Sequence, residues 1–316
     1  MDESGRIRIV EVGPRDGLQN LEIFVATEKK IGLIRRLAAC GLREIQIGGF
    51  VDPRAITQFR DIREVAAGLC DLAGTTLTAL VPNLRGARDA VAAGLKKLNF
   101  FFSVSRSHNL NNVRQTPEES ISALKAILGE IPPRKTRIRV DLATAFGCPF
   151  EGRIPVGEVL SAVEKTAHLG IREITLCDTV GFGNPRLVEE TARACRERFP
   201  EVAFGMHFHD TRGLGLANTL AAYQQGIRIF DASLGGLGGC PYAPGASGNT
   251  ATEETAFLFG EMGVETGVDL PLLLETARHL EEILPGVCLN SSLFRAGLPR
   301  PVPFDSDFAF EKKRGA

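Results

Sequence analysis

The chain lacks a basic excess: 37 Lys and Arg stand against 38 Asp and Glu, a formal net charge of −1 over 316 residues. Nothing is left over to neutralise a run of phosphates, so nucleic acid is excluded as the expected partner. No apolar run reaches the ~20 residues of a membrane span. Met1 to Gly5 is polar and leads straight into a strand-like run, so no signal peptide is expected. Lys312-Lys313-Arg314-Gly315-Ala316 matches no address signal. The seven cysteines (40, 70, 148, 177, 195, 240 and 288) are odd in number and form no CxxC pair. That pattern suits a reducing cytoplasm rather than a disulfide framework. No Gly-x-Gly-x-x-Gly follows a first strand, which weakens a dinucleotide-binding reading. No linker-like composition separates a second domain.

What is present is an ordinary globular balance, 44% hydrophobic and 24% charged, with enough apolar material for a full core. Length alone favours about two domains of roughly 150 residues, but an α/β barrel commonly runs to about 250 residues as one. A weak internal repeat decides between them. Gly41-Leu-Arg-Glu-Ile-Gln-Ile47, Gly94-Leu-Lys-Lys-Leu-Asn-Phe100, Gly170-Ile-Arg-Glu-Ile-Thr-Leu176 and Gly226-Ile-Arg-Ile-Phe-Asp-Ala232 each end a helical pattern on Gly and enter a short apolar strand. Gly suits the left-handed position after a helix. Thr116-Pro117-Glu118-Glu119 reads as a capping box and Asn184-Pro185 as a similar helix start. Ile31, Ile34 and Leu37 keep helical spacing before Gly41.

Eight strands are expected, over 7–12, 43–48, 75–81, 96–102, 136–143, 171–177, 202–209 and 229–234. Eight strand–helix units fit an α/β, (β/α)8 TIM barrel better than an open sheet. Residues 1–265 are expected to form the catalytic barrel. Residues 266–316 add a helical extension, with a helix from Asp269 to Ile283 and a Pro-rich tail from Leu298 to Phe304, packed on the barrel or on a partner subunit.

In such a barrel the active site sits at the C-terminal ends of the strands, and polar residues gather there. After the first strand, Arg15 and Asp16 lie in a Gly/Pro turn. They form either a surface ion pair or a guanidinium for an oxyanion beside a carboxylate for a metal. At the seventh strand, His207 and His209 are i and i+2, so their imidazoles share a face, as a metal site requires; the chain has five His in all. Asp210 is either a partner of these imidazoles or the next helix cap. After the eighth strand runs a Gly-rich loop carrying Cys240 and ending at Asn249. It is either a flexible connection or a mobile loop with an acid/base or nucleophilic thiol. Other strand ends carry Ser105, Arg139, Asp141, Thr144, Asp178 and Thr179, each alone as readily a helix cap as a catalyst. His168 and His279 fall in helical patterns and read as surface or packing residues. Asp16, His207, His209 and Asn249 make a hard O/N set that suits Mg²⁺ or Mn²⁺ better than structural Zn²⁺.

These motifs resemble a known family. Val-Gly-Pro-Arg-Asp-Gly-Leu-Gln (12–19), His-Phe-His-Asp (207–210) and Gly-Leu-Gly-Gly-Cys-Pro-Tyr-Ala-Pro-Gly-Ala-Ser-Gly-Asn (236–249) look like the hydroxymethylglutaryl-CoA lyase family of the DRE-TIM metallolyases. Phe146-Gly-Cys-Pro-Phe-Glu-Gly152 and Asp178-Thr-Val-Gly181 also resemble family segments, and the likeness runs from about residue 6 to 285. The resemblance implies cleavage of a 3-hydroxy-3-methylglutaryl thioester to acetyl-CoA and acetoacetate. It implies that Asp16, His207, His209 and Asn249 hold a divalent metal, that Arg15 stabilises the thioester enolate, that Cys240 transfers a proton to the acetyl carbanion, and that Asp178 positions substrate or moves a proton. Gln19, Gln46, Ser105, Arg139, Asp141 and Thr179 are the expected substrate-contacting set. An acyl-CoA substrate and a homodimer, paired through the late barrel and C-terminal helices, are the expected partners.

Two positions depart from the family pattern. Gln46 stands where Glu is common, and Gln cannot carry charge or a titratable proton. Asp141 stands where Tyr is usual. A carboxylate has left one strand end and appeared at another, so the acyl pocket is expected to differ, and with it the preferred 3-hydroxyacyl-CoA. The segment Ser105-Arg-Ser-His-Asn-Leu-Asn-Asn112 differs too, with a Ser-x-x-His pattern similar to condensing relatives in the superfamily. The alternatives are a Claisen-type synthase or aldolase of the same superfamily, and a catalytically silent acyl-CoA-binding paralogue.

Overall fold

The computed structural model of the chain describes residues 5–131, 134–239 and 248–301. Eight strands appear: β1 (Arg8–Glu11), β2 (Glu44–Gly49), β3 (Thr76–Val81), β4 (Lys97–Ser103), β5 (Arg137–Ala143), β6 (Glu173–Asp178), β7 (Ala203–Phe208) and β8 (Ile229–Ala232). All pair in parallel and in chain order, and β8 closes against β1 into one barrel. The expected strands fall within two residues of these bounds at every end.

The local signals operate as their chemistry requires. Gly41, Gly94, Gly170 and Gly226 have φ of 90°, 89°, 87° and 83°, the left-handed turn that lets each helix stop and the next strand begin. At the helix Pro117–Glu130, Thr116 Oγ1 accepts from the Glu119 amide at 3.2 Å and Glu119 Oε2 accepts from the Thr116 amide at 2.7 Å. Asn184 caps the helix Pro185–Arg198 through the Leu187 amide at 3.1 Å, and Asp269 caps the helix Leu270–Ile283 through the Leu272 amide at 3.0 Å. That last helix packs on Thr27–Ala39 and Thr252–Glu261, and Ser292–Ala296 packs on the latter. The far end of the expected Pro-rich tail, 302–304, lies outside the described residues.

Successive side chains on a strand face opposite ways. The outward set, including Ile9, Ile45, Leu98, Val140, Ile174 and Phe204, joins Leu33, Leu124, Val159, Phe259 and Leu273 of the helices in one apolar cluster. Burying each such side chain is worth about 1.5–3 kcal/mol. The inward set is different. Lys97 Nζ donates to Glu44 Oε1 at 2.6 Å and Glu173 Oε1 at 2.7 Å. Those residues come from β4, β2 and β6, which are not neighbours, so the contacts cross the barrel interior. The sequence pattern suggests apolar strands. The structure corrects that: the strands alternate, because the barrel's interior is largely polar, and the small inner apolar cluster is Val10, Val12 and Ile229.

Candidate active site

At the C-terminal mouth of the barrel, β1 runs into a π-helical turn, Gly13–Gly17, that carries Arg15 and Asp16. Pro14 opens this turn, and the Asp16 amide donates to Val12 O at 2.7 Å. Glu11 pins it. The carboxylate is fully buried; Oε1 accepts from the Gly13 amide at 2.7 Å and the Leu234 amide at 3.0 Å, and Oε2 accepts from Thr252 Oγ1 at 2.6 Å. Burial pushes its pKa up to about 7, and these hydrogen bonds pull the other way. A Cβ on Gly13 would lie 2.6 Å from Glu11 Oε1, so the close approach requires glycine.

The turn delivers Asp16 to β7. Asp16 Oδ2 lies 3.5 Å from His209 Nε2 and 3.9 Å from His207 Nε2. One ligand atom from each of the three residues falls within 4.8 Å of the others. Burial opposes the charge on Asp16, but Arg15, His209 and His207 together hold its carboxyl well below the usual range. Both imidazoles are oriented from behind. His207 Nδ1 donates to Asp231 Oδ2 at 3.2 Å and His209 Nδ1 to the Asp178 carbonyl at 3.0 Å. Each Nε2 is thereby turned towards Asp16. A short β-bridge ties Asn249 to His209. Asn249 Nδ2 donates to Asp16 Oδ2 at 2.8 Å and to Leu237 O at 3.1 Å, while its Oδ1 is buried without a partner. Three converging N/O donors and an orphaned amide oxygen beside them are the donor set a hard divalent cation needs.

A cavity of about 550 Å³ opens over this centre, lined by Arg15, Asp16, Gln19, Asp141, Thr179, His207 and His209, with Leu80, Phe101 and Ala143 on its apolar wall. Asp141 thus faces the cavity rather than the outside of the barrel. Gln46 is fully buried beneath Arg15: its Oε1 accepts from Arg15 Nε at 2.8 Å, and its Nε2 has no partner. Arg15 also contacts Asp16 through Nη1. Arg139 is fully buried beneath Asp141 and bonds it through Nε at 2.6 Å.

Gln46 and Arg139 thus lie under the cavity wall rather than on it, and two more expected residues also sit elsewhere. Ser105 is not on the cavity wall: its Oγ accepts from the His108 amide at 3.1 Å, capping the helix Arg106–Val113, and donates to Cys148 Sγ at 2.9 Å. The Asp178 carboxylate turns into its own loop, accepting from the Phe182 amide at 2.8 Å and the Gly183 amide at 3.0 Å. Burial raises its pKa, and those two amides lower it. Asp210 is a loop cap, with Oδ1 accepting from the Gly215 amide at 2.7 Å. Thr179 Oγ1 accepts from the Thr144 amide at 2.9 Å, and Thr144 sits at φ 57°, a left-handed turn for a β-branched residue. Cys240 lies outside the described residues.

Sequence reasoning missed Asp231, Glu11 and the cavity-facing Cys177, and gave no role to His108 of the Ser-x-x-His pattern, which also lines the cavity. An acidic residue between Phe230 and Ala232 is the signal that could have found Asp231. His108 is held by Ser103 Oγ at Nδ1, 2.7 Å away, and burial lowers its pKa.

The chain matches the HMGL-like family model over residues 6–280. It is 44% identical over 277 residues to a hydroxymethylglutaryl-CoA lyase of Bacillus subtilis, covering 88% of this chain and 93% of that protein. It is 41% identical over 279 residues to the mitochondrial hydroxymethylglutaryl-CoA lyase of Homo sapiens, covering 88% and 86%. A solved structure of an HMG-CoA lyase from Acinetobacter baumannii, in complex with coenzyme A and 3-methylmalate, superposes with a TM-score of 0.89 at 43% identity, covering 96% of this chain and all of that one.

Proposed function

Because the chain belongs to the hydroxymethylglutaryl-CoA lyase family, we propose that it is a carbon–carbon lyase acting on 3-hydroxy-3-methylglutaryl-CoA or a related 3-hydroxyacyl-CoA. The products are acetyl-CoA and a 3-oxo acid. The observation that carries this reading is the Asp16–His207–His209 centre, with the orphaned Asn249 Oδ1, at the mouth of a cavity that also holds Arg15.

Asp16, His207, His209 and Asn249 would hold the cation, Mg²⁺ or Mn²⁺ by the hardness of the set. When bound, a divalent cation supplies Lewis acidity towards the substrate's oxygens and eases loss of the tertiary hydroxyl proton. As the hydroxyl proton passes to solvent in the cavity, the C2–C3 bond breaks, its electron pair passes to C2, and the carbinol carbon becomes a ketone. Arg15 meets the charge that spreads onto the thioester oxygen, and Gln46 holds its guanidinium in place from below. Cys240 returns a proton to C2. Asp178 acts by orienting His209 through its carbonyl and ordering the turn beside Thr179. Gln19 and Asp141 line the acyl end, with Arg139 beneath. The role of Cys240 rests on the family likeness.

We further read residues 1–265 as the catalytic barrel and 266–316 as its extension, the active form as a homodimer, and the compartment as the cytoplasm. Among the described residues no helix is long and apolar enough to cross a membrane.

The test is a product-resolved assay. Protein loaded with Mg²⁺ or Mn²⁺ is given hydroxymethylglutaryl-CoA beside a panel of longer 3-hydroxyacyl-CoA esters, and acetyl-CoA release is recorded. Turnover of the first supports the ordinary lyase. Turnover of only a panel member moves the substrate to the one that Gln46 and Asp141 admit. No release with cation bound overturns the reading.

A further inference from the structure

Asp141 stands at the cavity wall and at one end of a hydrogen-bonded chain that finishes on a metal-site histidine. Asp141 Oδ1 accepts from Arg139 Nε at 2.6 Å. Arg139 Nη1 donates to Asp231 Oδ1 at 2.8 Å, and Nη2 donates to Asp231 Oδ2. The same Oδ2 accepts from His207 Nδ1 at 3.2 Å. The chain spans β5, β8 and β7 through the barrel interior, and every member is 5% exposed or less.

Arg139 is a permanent cation, and two carboxylates share it. A guanidinium divided between two anions neutralises each less than one committed to a single partner. Asp231 therefore keeps more negative charge for the Nδ1–H of His207, and Nε2 becomes the more basic ligand. In so buried a chain the hydrogen bonds polarise one another. Replacing Asp141 by a neutral amide leaves Arg139 to Asp231 alone and weakens His207 as a donor.

We propose that Asp141 is a positioning residue for the metal centre: through Arg139 and Asp231 it sets the strength of His207 as a ligand, although it touches no ligand itself. This rests on reading Asp16, His207 and His209 as a cation site, and its test needs no turnover.

The experiment is Mn²⁺ binding to the full chain, read by the loss of free Mn²⁺ signal in electron paramagnetic resonance, without substrate. Wild type, Asp141→Asn, Asp231→Asn and the double variant are compared. Asp231→Asn is expected to weaken Mn²⁺ roughly 10- to 100-fold, as loss of a carboxylate behind a metal-bound His does. Asp141→Asn is expected to weaken it several-fold, and that effect is expected to vanish in the Asp231→Asn background. An unchanged affinity in Asp141→Asn overturns the proposal. So does an equal loss in both backgrounds, which would mean a direct field rather than a chain. If Asp231→Asn fails to fold, the ¹⁵N shifts of the His207 ring in Asp141→Asn carry the test: displaced shifts support the chain, unmoved ones overturn it. Failure of the lyase reading is separate, appearing as no acetyl-CoA release by wild type with Mn²⁺ bound.

Discussion

Leu98 and Asn99 are neighbours on one strand and belong to different media. Leu98 joins the continuous apolar layer between barrel and helices, to which Ile45, Val140 and Ile174 also belong. Asn99 looks inward, where Lys97 meets Glu44 and Glu173, and Arg139 meets Asp141 and Asp231. The outer layer is non-directional and tolerates any close-packed solution. The inner one is directional: a buried charge is bearable only with its partners in place. Apolar packing therefore lies outside the barrel, and orientation is set inside it by charges that are costly to leave unpaired. The inner charges form a floor for the mouth, so that the ligands and Arg15 rest on groups that cannot rotate freely.

The sharpest way to break this division is at the mouth. His209→Ala removes a ligand and, with it, several kcal/mol of charge stabilisation, so kcat/KM is expected to fall about a thousandfold. The unfolding midpoint should hardly move; a collapse in urea stability would mean that the mouth is also structural. One level down, Lys97→Met leaves Glu44 and Glu173 with Arg8 as their remaining cationic partner and is expected to cost about 3 kcal/mol in equilibrium unfolding. Replacing Lys97, Glu44 and Glu173 together by apolar residues should recover most of that loss. If the single and triple variants are equally unstable, the floor is not held by paired charge.

In the outer layer, Leu98→Ala is expected to cost about 2–5 kcal/mol. The activity of the folded fraction should remain close to wild type, which a urea curve and a titrated assay would together show. A pH-dependent effect concerns Glu11. Its folded pKa, about 7, lies above the unfolded value of 4.5, so the native state holds the extra proton between them. Stability should therefore decline as pH rises through that window and stay lowered above it. Glu11→Gln should flatten the slope in a thermal-unfolding series from pH 4.5 to 8. An unchanged slope would place the titration elsewhere.

The outer half of this arrangement was legible in the sequence. Gly41, Gly94, Gly170 and Gly226 announced the helix-to-strand joints, and the apolar positions after them announced buried strands. His207 and His209 were legible because a strand fixes the i, i+2 relation. The inner half was not. Nothing in the spacing of 139, 141 and 231 says that β5 and β8 face each other across a closed barrel. Asp231 was hidden by its apolar neighbours, and Glu11 was legible only as the residue before a turn. Ser105 and Asp178 stand at strand ends, and a strand end supplies a site residue or a cap with the same residue types. Only the fold decides between the two uses.

The hydrogen bonds of Glu11 have a consequence for synthesis. This carboxylate belongs to the first strand, and its partners include Leu234 and Thr252 from beyond the last. A nascent chain carries Arg15 and Asp16 from the start, yet the turn that aims them is locked only when some 240 further residues have been made. His207, His209 and Asn249 also arrive late. A ribosome-bound fragment that has not reached Thr252 can build outer layers of strand and helix but not a cation centre. The turn that aims Arg15 and Asp16 and the two histidines thus come together only once the ring of strands is shut.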